Sequence, residues 1–292
     1  METRDMRSDG PDRRTDPLSG REVVVAAGRQ ARPNLPGTGC PFCVGGLEAP
    51  EPYDVRAFTN RWPPLGPGKA EVVLYTPDHN ATFASLDRSG ARRVVDLWAE
   101  RTGALGTAAD VDYVLVFENR GPEVGATITH PHGQVYAFPT VPAVPMAELT
   151  AHGPCHLCEH RPGDRGVAEA GRWRAWVPEA AEWPYALLLA PADHEPDLPT
   201  LADGGRDSMA DLLLDVLGRL DRLFDAPMPY MLWIHQRPTD GGSWPTAHVH
   251  VHVAPLLRSS GVPRFVAAGE LGSGTYFNPV DPAAAAGALR SA

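Results

Sequence analysis

One series of motifs occurs twice in this chain, in the same order and at nearly the same spacing, and this repeat limits the folds open to it. Each copy has a Cys-x-x-Cys pair, an Asp-His loop, a predicted helix and a strand, and it ends at a His-x-His segment. The equivalent positions are Cys40 and Cys155, 115 residues apart, His79 and His194, also 115 apart, and His130 and His248, 118 apart. Unrelated residues rarely keep a constant spacing over such a length, so the repeat indicates an internal duplication.

The duplication predicts two similar halves. A chain of 292 residues is long enough for two units of about 150 residues each. A proline-rich stretch over 138–145 is typical of a connection between units, so we place the N-terminal half at 17–145 and the C-terminal half at 146–292. Residues 1–16 are rich in arginine and aspartate and have no apolar core, so we expect a disordered leader there.

The charge of the chain excludes several classes of partner. Its net charge of −10 argues against a nucleic-acid groove and against an anionic membrane surface. The N-terminus lacks the apolar region of a signal peptide, and no apolar run approaches the roughly 20 residues of a membrane span. We therefore expect a cytoplasmic protein with no nucleic-acid or membrane partner. Local arginines still permit a phosphorylated ligand.

The four cysteines predict metal binding. In a chain without an export signal, Cys-x-x-Cys pairs are more typical of metal sites than of disulfides. Together with the repeated histidines they form two Cys2His2 sets, which suit tetrahedral Zn²⁺ with all four positions filled. The first set is Cys40, Cys43, His79 and His130, and the second is Cys155, Cys158, His194 and His248. A thioredoxin-like redox pair is the alternative, but neither pair is predicted to open a helix after a strand.

The centre of the first half combines a buried strand with two imidazoles and a carboxamide. The apolar run 113–117 is predicted to be a strand, and a glycine-rich turn follows it. Side chains at positions i and i+2 share a face of an extended chain, so His130, His132 and Gln134 are predicted to point the same way. One imidazole can then act as a nucleophile while its neighbour binds a metal. Gln134 can donate a hydrogen bond to a phosphate oxygen.

The second half has a similar histidine segment. Residues 247–253 alternate between valine or alanine and histidine, which predicts that His248, His250 and His252 share one face of a strand. Apolar periodicity predicts a helix in each half, over 86–105 with Asp87 as its cap and over about 206–224. Short strands at 265–268 and a terminal helix at 282–289 are also expected.

Seven motifs together resemble a known family. They are Arg14-Thr15-Asp16-Pro17-Leu18-Ser19-Gly20, Gly28-Arg29-Gln30-Ala31-Arg32-Pro33, Cys40-Pro41-Phe42-Cys43, Phe58-Thr59-Asn60-Arg61, Phe117-Glu118-Asn119, His130-Pro131-His132-Gly133-Gln134 and Pro255-Leu256-Leu257-Arg258-Ser259. From Arg13 nearly to the C-terminus, the chain resembles the galactose-1-phosphate uridylyltransferases, a tandem branch of the histidine-triad superfamily. The resemblance implies an α+β fold of two tandem histidine-triad-like halves, with joined antiparallel sheets and helices on one face.

The resemblance also implies an activity and its residues. It implies ping-pong transfer of UMP from UDP-glucose to galactose 1-phosphate, with His132 as the nucleophile and Gln134 as the amide that holds the phosphate. The implied substrate-binding residues are Arg29 and Arg32 for the nucleotide, Asn60 and Arg61 near the uridine, Asn119 and Thr127 for the phosphates, and Glu270 for the hexose. Thr127 stands where a serine is usual, and the segment 270–276 departs from the family's sugar-binding pattern.

A second metal and a homodimer are further implications. Some family members hold a second ion with one glutamate and three histidines. The matching positions here are Glu148, His235, His250 and His252. This set is an alternative to the second Cys2His2 set, and both can exist together. The family is usually dimeric, which implies a homodimer acting on a UDP-hexose and a hexose 1-phosphate.

Three other functions fit parts of the sequence. The first is a related phosphorylase or nucleotidylyltransferase for another sugar 1-phosphate. The second is a histidine-triad hydrolase acting at His250, with water as the acceptor. The third is a zinc-binding scaffold without activity, which would leave the pairing of His132 with Gln134 unexplained.

Overall fold

The structure is a computed structural model, and it describes residues 12–26, 29–30, 39–151 and 153–292. The first described element is an antiparallel hairpin of β1 (Asp12–Thr15) and β2 (Glu22–Val25). The end of the expected disordered leader is therefore a strand, because its residues pair with the segment after the turn. Residues 1–11 of that leader lie outside the described residues.

One antiparallel sheet of nine strands forms the centre of the fold. Its strands are β3 (Arg56–Thr59), β4 (Ala70–Leu74), β5 (Tyr113–Arg120), β6 (His132–Phe138), β7 (Gly166–Ala170), β8 (Trp173–Trp176), β9 (Leu187–Pro191), β10 (Tyr230–His235) and β11 (His250–Pro255). Their order across the sheet is β3-β4-β6-β5-β10-β11-β9-β8-β7. The two halves join where β5 pairs with β10, with Phe117 opposite Trp233. This confirms the prediction of two joined antiparallel halves.

Two long helices cover one face of this sheet. The described residues form α1 (Arg88–Gly106), α2 (Ala143–Leu149), α3 (His156–Glu159), α4 (Asp203–Leu223), α5 (Ala268–Ser273) and α6 (Pro282–Ser291). The two long helices are α1 and α4. Asp87 caps α1 through Gly90 N, as predicted. Apolar side chains of α1 and α4, such as Trp98 and Leu213, pack with Val114 and Val135 of the sheet in one buried core. Helices on one face leave the other face of the sheet open to build sites.

Arginine–aspartate ion pairs link α1 to α4. Arg92 contacts Asp203 and Asp207, each at 2.7 Å, and Arg88 contacts Asp211 at 2.6 Å. These pairs join helices from different halves of the chain.

The histidine strands begin later than the sequence predicts. β6 starts at His132 and β11 at His250, so His130 and His248 precede the strands. Just before His132 the chain still bonds to the residue after β4, through Tyr75 N and Pro131 O, and just before His250 it bonds to the loop after β9, through Val249 N and Glu195 O. In these positions Nδ1 of His130 lies 3.7 Å from Sγ of Cys43, and Nδ1 of His248 lies 3.5 Å from Sγ of Cys158.

The C-terminal segment also differs from expectation. The predicted strand at 265–268 is absent from the described chain, where a short hairpin of β12 (Leu257–Ser259) and β13 (Val262–Pro263) precedes α5. The terminal helix is present as α6. Among the described residues, we find no helix with the length and apolarity that a membrane span requires.

Candidate active site and metal groups

The open face of β6 carries the proposed catalytic pair. His132 lies directly across from Leu74 of β4, and Gln134 lies between Val72 of β4 and Phe117 of β5. Nδ1 of His132 is 2.7 Å from the carbonyl oxygen of His130. Because a carbonyl only accepts hydrogen bonds, Nδ1 carries the imidazole proton, and Nε2 carries the ring's lone pair.

The amide of Gln134 is oriented by its neighbours. Its Oε1 accepts a hydrogen bond from the hydroxyl of Tyr136 at 3.1 Å and lies 3.5 Å from Nδ2 of Asn60. Asn60 in turn accepts from Trp62 N through Oδ1 at 2.8 Å, which fixes its own amide. The oxygen of Gln134 is thus engaged with donors, and its NH₂ group is the end that can donate to a ligand.

The other predicted binding residues have different surroundings in the structure. Asn119 lines a small cavity of about 50 Å³ together with His132. Nη1 of Arg29 donates to Trp62 O at 2.6 Å, whereas Arg61 pairs with Glu48 at 2.9 Å. Thr127 is half-buried in the loop before β6. Arg32 lies outside the described residues.

Glu270 has contacts within its own segment. It is buried in the first turn of α5 and pairs with Arg264, and its carboxylate accepts hydrogen bonds from Ala267 N and Phe277 N, each at 2.9 Å. These backbone donors lower the pKa of the carboxyl group. Its expected contact with a hexose stays a prediction.

The first Cys2His2 set comes together beside His132. The ligand atoms of Cys40, Cys43, His79 and His130 all lie within 4.8 Å of one another. Sγ of Cys43 is 3.5 Å from Nδ1 of His79 and 3.7 Å from Nδ1 of His130. Tetrahedral Zn²⁺ with ordinary bond lengths separates such sulfur and nitrogen ligands by about 3.5 Å, so the set fits zinc.

The surroundings of His130 favour metal binding. Its Nε2 donates to Thr76 O at 2.8 Å, which leaves the Nδ1 lone pair facing the cysteines. Burial lowers the pKa of this imidazole and keeps it neutral. A neutral imidazole with its other nitrogen fixed by a carbonyl is the usual form of a histidine ligand.

The second Cys2His2 set repeats this arrangement. Sγ of Cys158 is 3.2 Å from Nδ1 of His194 and 3.5 Å from Nδ1 of His248. Nε2 of His248 donates to Pro191 O at 3.0 Å, and burial lowers the pKa of His248 to about 4. The structure therefore brings all four predicted residues of this set, including Cys155, within ligand distance of one another.

The third set, of one carboxylate and three imidazoles, lies on the open face of the second half. Oε2 of Glu148 is 2.7 Å from Nδ1 of His235 and 3.3 Å from Nε2 of His250. Nδ1 of His250 donates to His248 O at 2.7 Å, so its Nε2 lone pair faces the carboxylate. Nε2 of His252 is buried without a hydrogen bond among the described residues. Lone pairs that converge in this way fit a divalent cation.

The sequence offered two options for the second half, and the structure forms both sets at once. They share no residue, although His248 and His250 are neighbours along the chain, and residues of both sets line one cavity of about 280 Å³. Glu148 reaches this cavity from α2, a helix that begins within the connector predicted at 138–145.

Two aromatic residues that the sequence reasoning left without a role connect the first metal set to His132. The ring of Phe42 packs edge-to-face on the ring of His132, with centroids 5.1 Å apart. The hydroxyl of Tyr53 bonds to Phe42 O at 2.7 Å and lies 3.0 Å from Nε2 of His130. In the sequence, the signal for a role of Phe42 is its position between the predicted ligands Cys40 and Cys43.

A buried carboxyl group lies on the helix side of β5. Glu118 is buried, and its Oε1 accepts a hydrogen bond from the Tyr230 hydroxyl at 2.9 Å. Burial raises the pKa of Glu118 to about 7, against the effects of Tyr230 and Arg120. Glu118 also lines the small cavity that His132 borders.

Comparison with known protein families gives two matches that together cover most of the chain. Residues 62–142 match the N-terminal domain of galactose-1-phosphate uridyl transferase, and residues 147–275 match its C-terminal domain. A galactose-1-phosphate uridylyltransferase of Thermotoga maritima is 35% identical, over 95% of this chain and 97% of the relative.

Two solved structures are similar over nearly their full length. A uridylyltransferase structure has a TM-score of 0.87 at 28% identity, covering 96% of this chain and 97% of the other. An ADP-glucose phosphorylase from Arabidopsis thaliana, with ADP-glucose bound, has a TM-score of 0.78 at 25% identity and covers 97% and 99%.

Proposed function

Because this chain belongs to the galactose-1-phosphate uridyl transferase family, we propose that it transfers UMP from UDP-glucose to galactose 1-phosphate through a uridylyl group on His132. The observation that carries this proposal is the hydrogen bond from Nδ1 of His132 to His130 O at 2.7 Å, beside an amide donor on Gln134. Together they supply a nucleophile of fixed tautomer and a group that binds a phosphate oxygen.

The first half-reaction forms a phosphorus–nitrogen bond. Nε2 of His132 attacks the α-phosphorus of UDP-glucose, and the bond from that phosphorus to the bridging oxygen breaks. Glucose 1-phosphate leaves with the bond electrons, while the Nδ1 proton stays on the imidazole and is stabilised by His130 O. The resulting imidazolium carries the positive charge that makes the uridylyl group a good donor.

The second half-reaction reverses these bonds with another sugar. A phosphate oxygen of galactose 1-phosphate attacks the same phosphorus, the phosphorus–nitrogen bond breaks, and UDP-galactose leaves. Charge on the phosphoryl oxygens is stabilised by the Gln134 amide in both steps. Further contacts belong to this proposal: Asn119 and Thr127 to the phosphates, Arg29, Arg32, Asn60 and Arg61 to the nucleotide, and Glu270 to the hexose.

Zinc in the two Cys2His2 sets has a structural role in this scheme. A filled tetrahedral shell has no open position for water or substrate. Cys40, Cys43, His79 and His130 would hold the loop that supplies the carbonyl acceptor for His132. In the second half, Cys155, Cys158, His194 and His248 would hold the equivalent loop. Glu148, His235, His250 and His252 would hold a third divalent ion.

A homodimer is also part of the proposal. The segment after β12 exposes large apolar side chains: Phe265 is 77% exposed, Leu271 65% and Phe277 66%. Apolar groups exposed together on a short segment are typical of a protein interface. Light scattering across a concentration series tests this, and a monomer at all micromolar concentrations contradicts it.

One specific observation favours a second function, that of a sugar-nucleotide phosphorylase. The chain is similar over 97% of its length to an ADP-glucose phosphorylase. In that reaction inorganic phosphate, not a sugar phosphate, would attack the nucleotidyl-histidine. Both functions use His132 in the same first step.

An exchange experiment separates the two functions. UDP-glucose or ADP-glucose is offered as donor, and galactose 1-phosphate or inorganic phosphate as acceptor, with all four combinations compared at equal concentration. The proposal predicts the highest kcat/KM for UDP-glucose with galactose 1-phosphate, with parallel double-reciprocal plots. Faster release of a nucleoside diphosphate with inorganic phosphate would contradict the proposed acceptor, and a preference for ADP-glucose would contradict the proposed base.

A further inference from the structure

The side chain of Phe42 lies between the first metal set and the proposed nucleophile. It stands in the Cys-Pro-Phe-Cys motif, one residue before the ligand Cys43, and it is only 5% exposed. Phe42 packs in a small buried cluster with Ala49, Val72 and Leu74. The Phe42 ring is therefore the largest buried side chain in the cluster that packs the knuckle onto β4.

This ring also contacts His132. The two ring centroids are 5.1 Å apart at an interplanar angle of 63°, an edge-to-face geometry that aromatic pairs prefer. Leu74, which packs with Phe42, is directly opposite His132 in the strand pairing. The imidazole is thus held at its ring by Phe42 and at Nδ1 by His130 O. Two separate contacts fix the direction of Nε2.

The position of Phe42 is itself tied to the metal ligands. Its carbonyl oxygen accepts a hydrogen bond from the Tyr53 hydroxyl at 2.7 Å, and that hydroxyl lies 3.0 Å from Nε2 of His130. The backbone of Phe42 and the ligand His130 therefore share one hydrogen-bond network.

The second half offers a natural comparison. Leu157 lies 115 residues after Phe42, at the same place in the second Cys-x-x-Cys motif. His250 has the same Nδ1 hydrogen bond as His132, but its Nε2 faces Glu148. The aromatic contact thus occurs in the half that carries the proposed nucleophile, and an aliphatic residue stands where the imidazole faces a carboxylate.

We propose that Phe42 is a positioning residue, which holds the His132 ring in the attacking orientation and couples that orientation to the first metal set. This inference rests on the proposed function. A small misplacement of a reacting atom can reduce a rate by as much as a hundredfold. The effect of Phe42 should therefore appear in the rate of nucleotidyl transfer and not in the affinity for the donor.

The test is a rapid-quench measurement of uridylyl-enzyme formation from UDP-glucose without acceptor, followed by intact-protein mass spectrometry. The variants are Phe42→Ala and Phe42→Leu, with Leu157→Ala as the matched control in the other motif. Zinc content by elemental analysis and thermal unfolding are measured on the same samples. For Phe42→Ala we expect a rate at least about tenfold lower, with wild-type zinc content and little change in the half-saturating UDP-glucose concentration. Phe42→Leu should recover part of the rate, and Leu157→Ala should match the wild type.

Several results would overturn the inference. A wild-type transfer rate in Phe42→Ala removes the positioning role. A rate loss in proportion to lost zinc shows that Phe42 only supports the metal set. A higher half-saturating UDP-glucose concentration at an unchanged maximal rate would show that Phe42 contacts the substrate instead. Phe42→Leu serves as the decisive variant if Phe42→Ala does not fold. Failure of the wild-type enzyme to form any adduct would count against the proposed function, which keeps the two failures distinct.

Discussion

Nδ1 of His132 lies 2.7 Å from the carbonyl oxygen of His130, and this contact joins the proposed nucleophile to a predicted metal ligand two residues earlier. The second half repeats the contact between His250 and His248 at the same distance. The two halves differ in what the other nitrogen meets, since Glu148 approaches Nε2 of His250. The equivalent nitrogen is thus the proposed nucleophile in one half and faces a carboxylate in the other.

The first metal set should matter more for transfer than the second. Cys43→Ser removes a ligand of the set that includes His130, so we expect loss of about one zinc equivalent and at least about tenfold lower transfer activity. Cys158→Ser is the matched change in the second set, and it should lose zinc with a smaller effect on transfer. Elemental analysis and initial rates measure both effects. Equal activity losses in the two variants would contradict the link through His130.

The buried carboxyl of Glu118 should make stability depend on pH. Its pKa is about 7 in the folded chain, compared with an ordinary value of 4.5. Between these values the folded state binds more protons than the unfolded state, so this group stabilises the protein below pH 4.5 and loses that effect as the pH rises through 7. Across the range from pH 4.5 to 7, this group changes the free energy of unfolding by about 3 kcal/mol.

Glu118→Gln removes this titration but keeps the shape of the side chain. We expect the free energy of unfolding of the wild type, relative to the variant, to fall by up to about 3 kcal/mol between pH 4.5 and 7.5. Urea unfolding at four pH values, followed by circular dichroism, measures the difference. Parallel pH profiles for the two proteins would show that Glu118 is ionised throughout.

The ion pairs between α1 and α4 should contribute modestly and in a salt-dependent way. Arg92→Ala removes the contacts with Asp203 and Asp207, which are partly exposed to solvent. We expect about 1 kcal/mol lower unfolding free energy at low ionic strength and a smaller loss in 1 M salt. Arg93→Ala is the control, because Arg93 bonds to Ser89 of its own helix. An equal loss at both salt concentrations would mean that packing, not charge, is responsible.

The repeat in the sequence predicted much of this architecture for a physical reason. Apolar periodicity located α1 and α4, and an apolar run located the strand β5, because a helix or strand must bury one face. Constant spacing between Cys40 and Cys155, and between His79 and His194, predicted two equivalent metal sets because duplicated halves keep their loops. These features depend on local pattern and length.

Features that depend on contacts between distant segments were not predicted from pattern. Periodicity placed His130 within the strand, but β6 begins at His132, and Nδ1 of His130 lies 3.7 Å from Sγ of Cys43. The contact of Phe42 with His132 joins residues about 90 positions apart, and the burial of Glu118 depends on Tyr230 from the other half. Tertiary packing decides such features, and a local sequence pattern does not predict which distant residues will pack together.

The central claim is that His132 accepts the nucleotidyl group, and mapping the covalent adduct tests it most directly. The enzyme is incubated with UDP-glucose without acceptor, quenched and digested, and its peptides are identified by mass spectrometry. We predict one uridylyl group on the peptide that contains His132, its disappearance on addition of galactose 1-phosphate, and no adduct in His132→Ala. An adduct on His250, or full turnover by His132→Ala, would contradict the account.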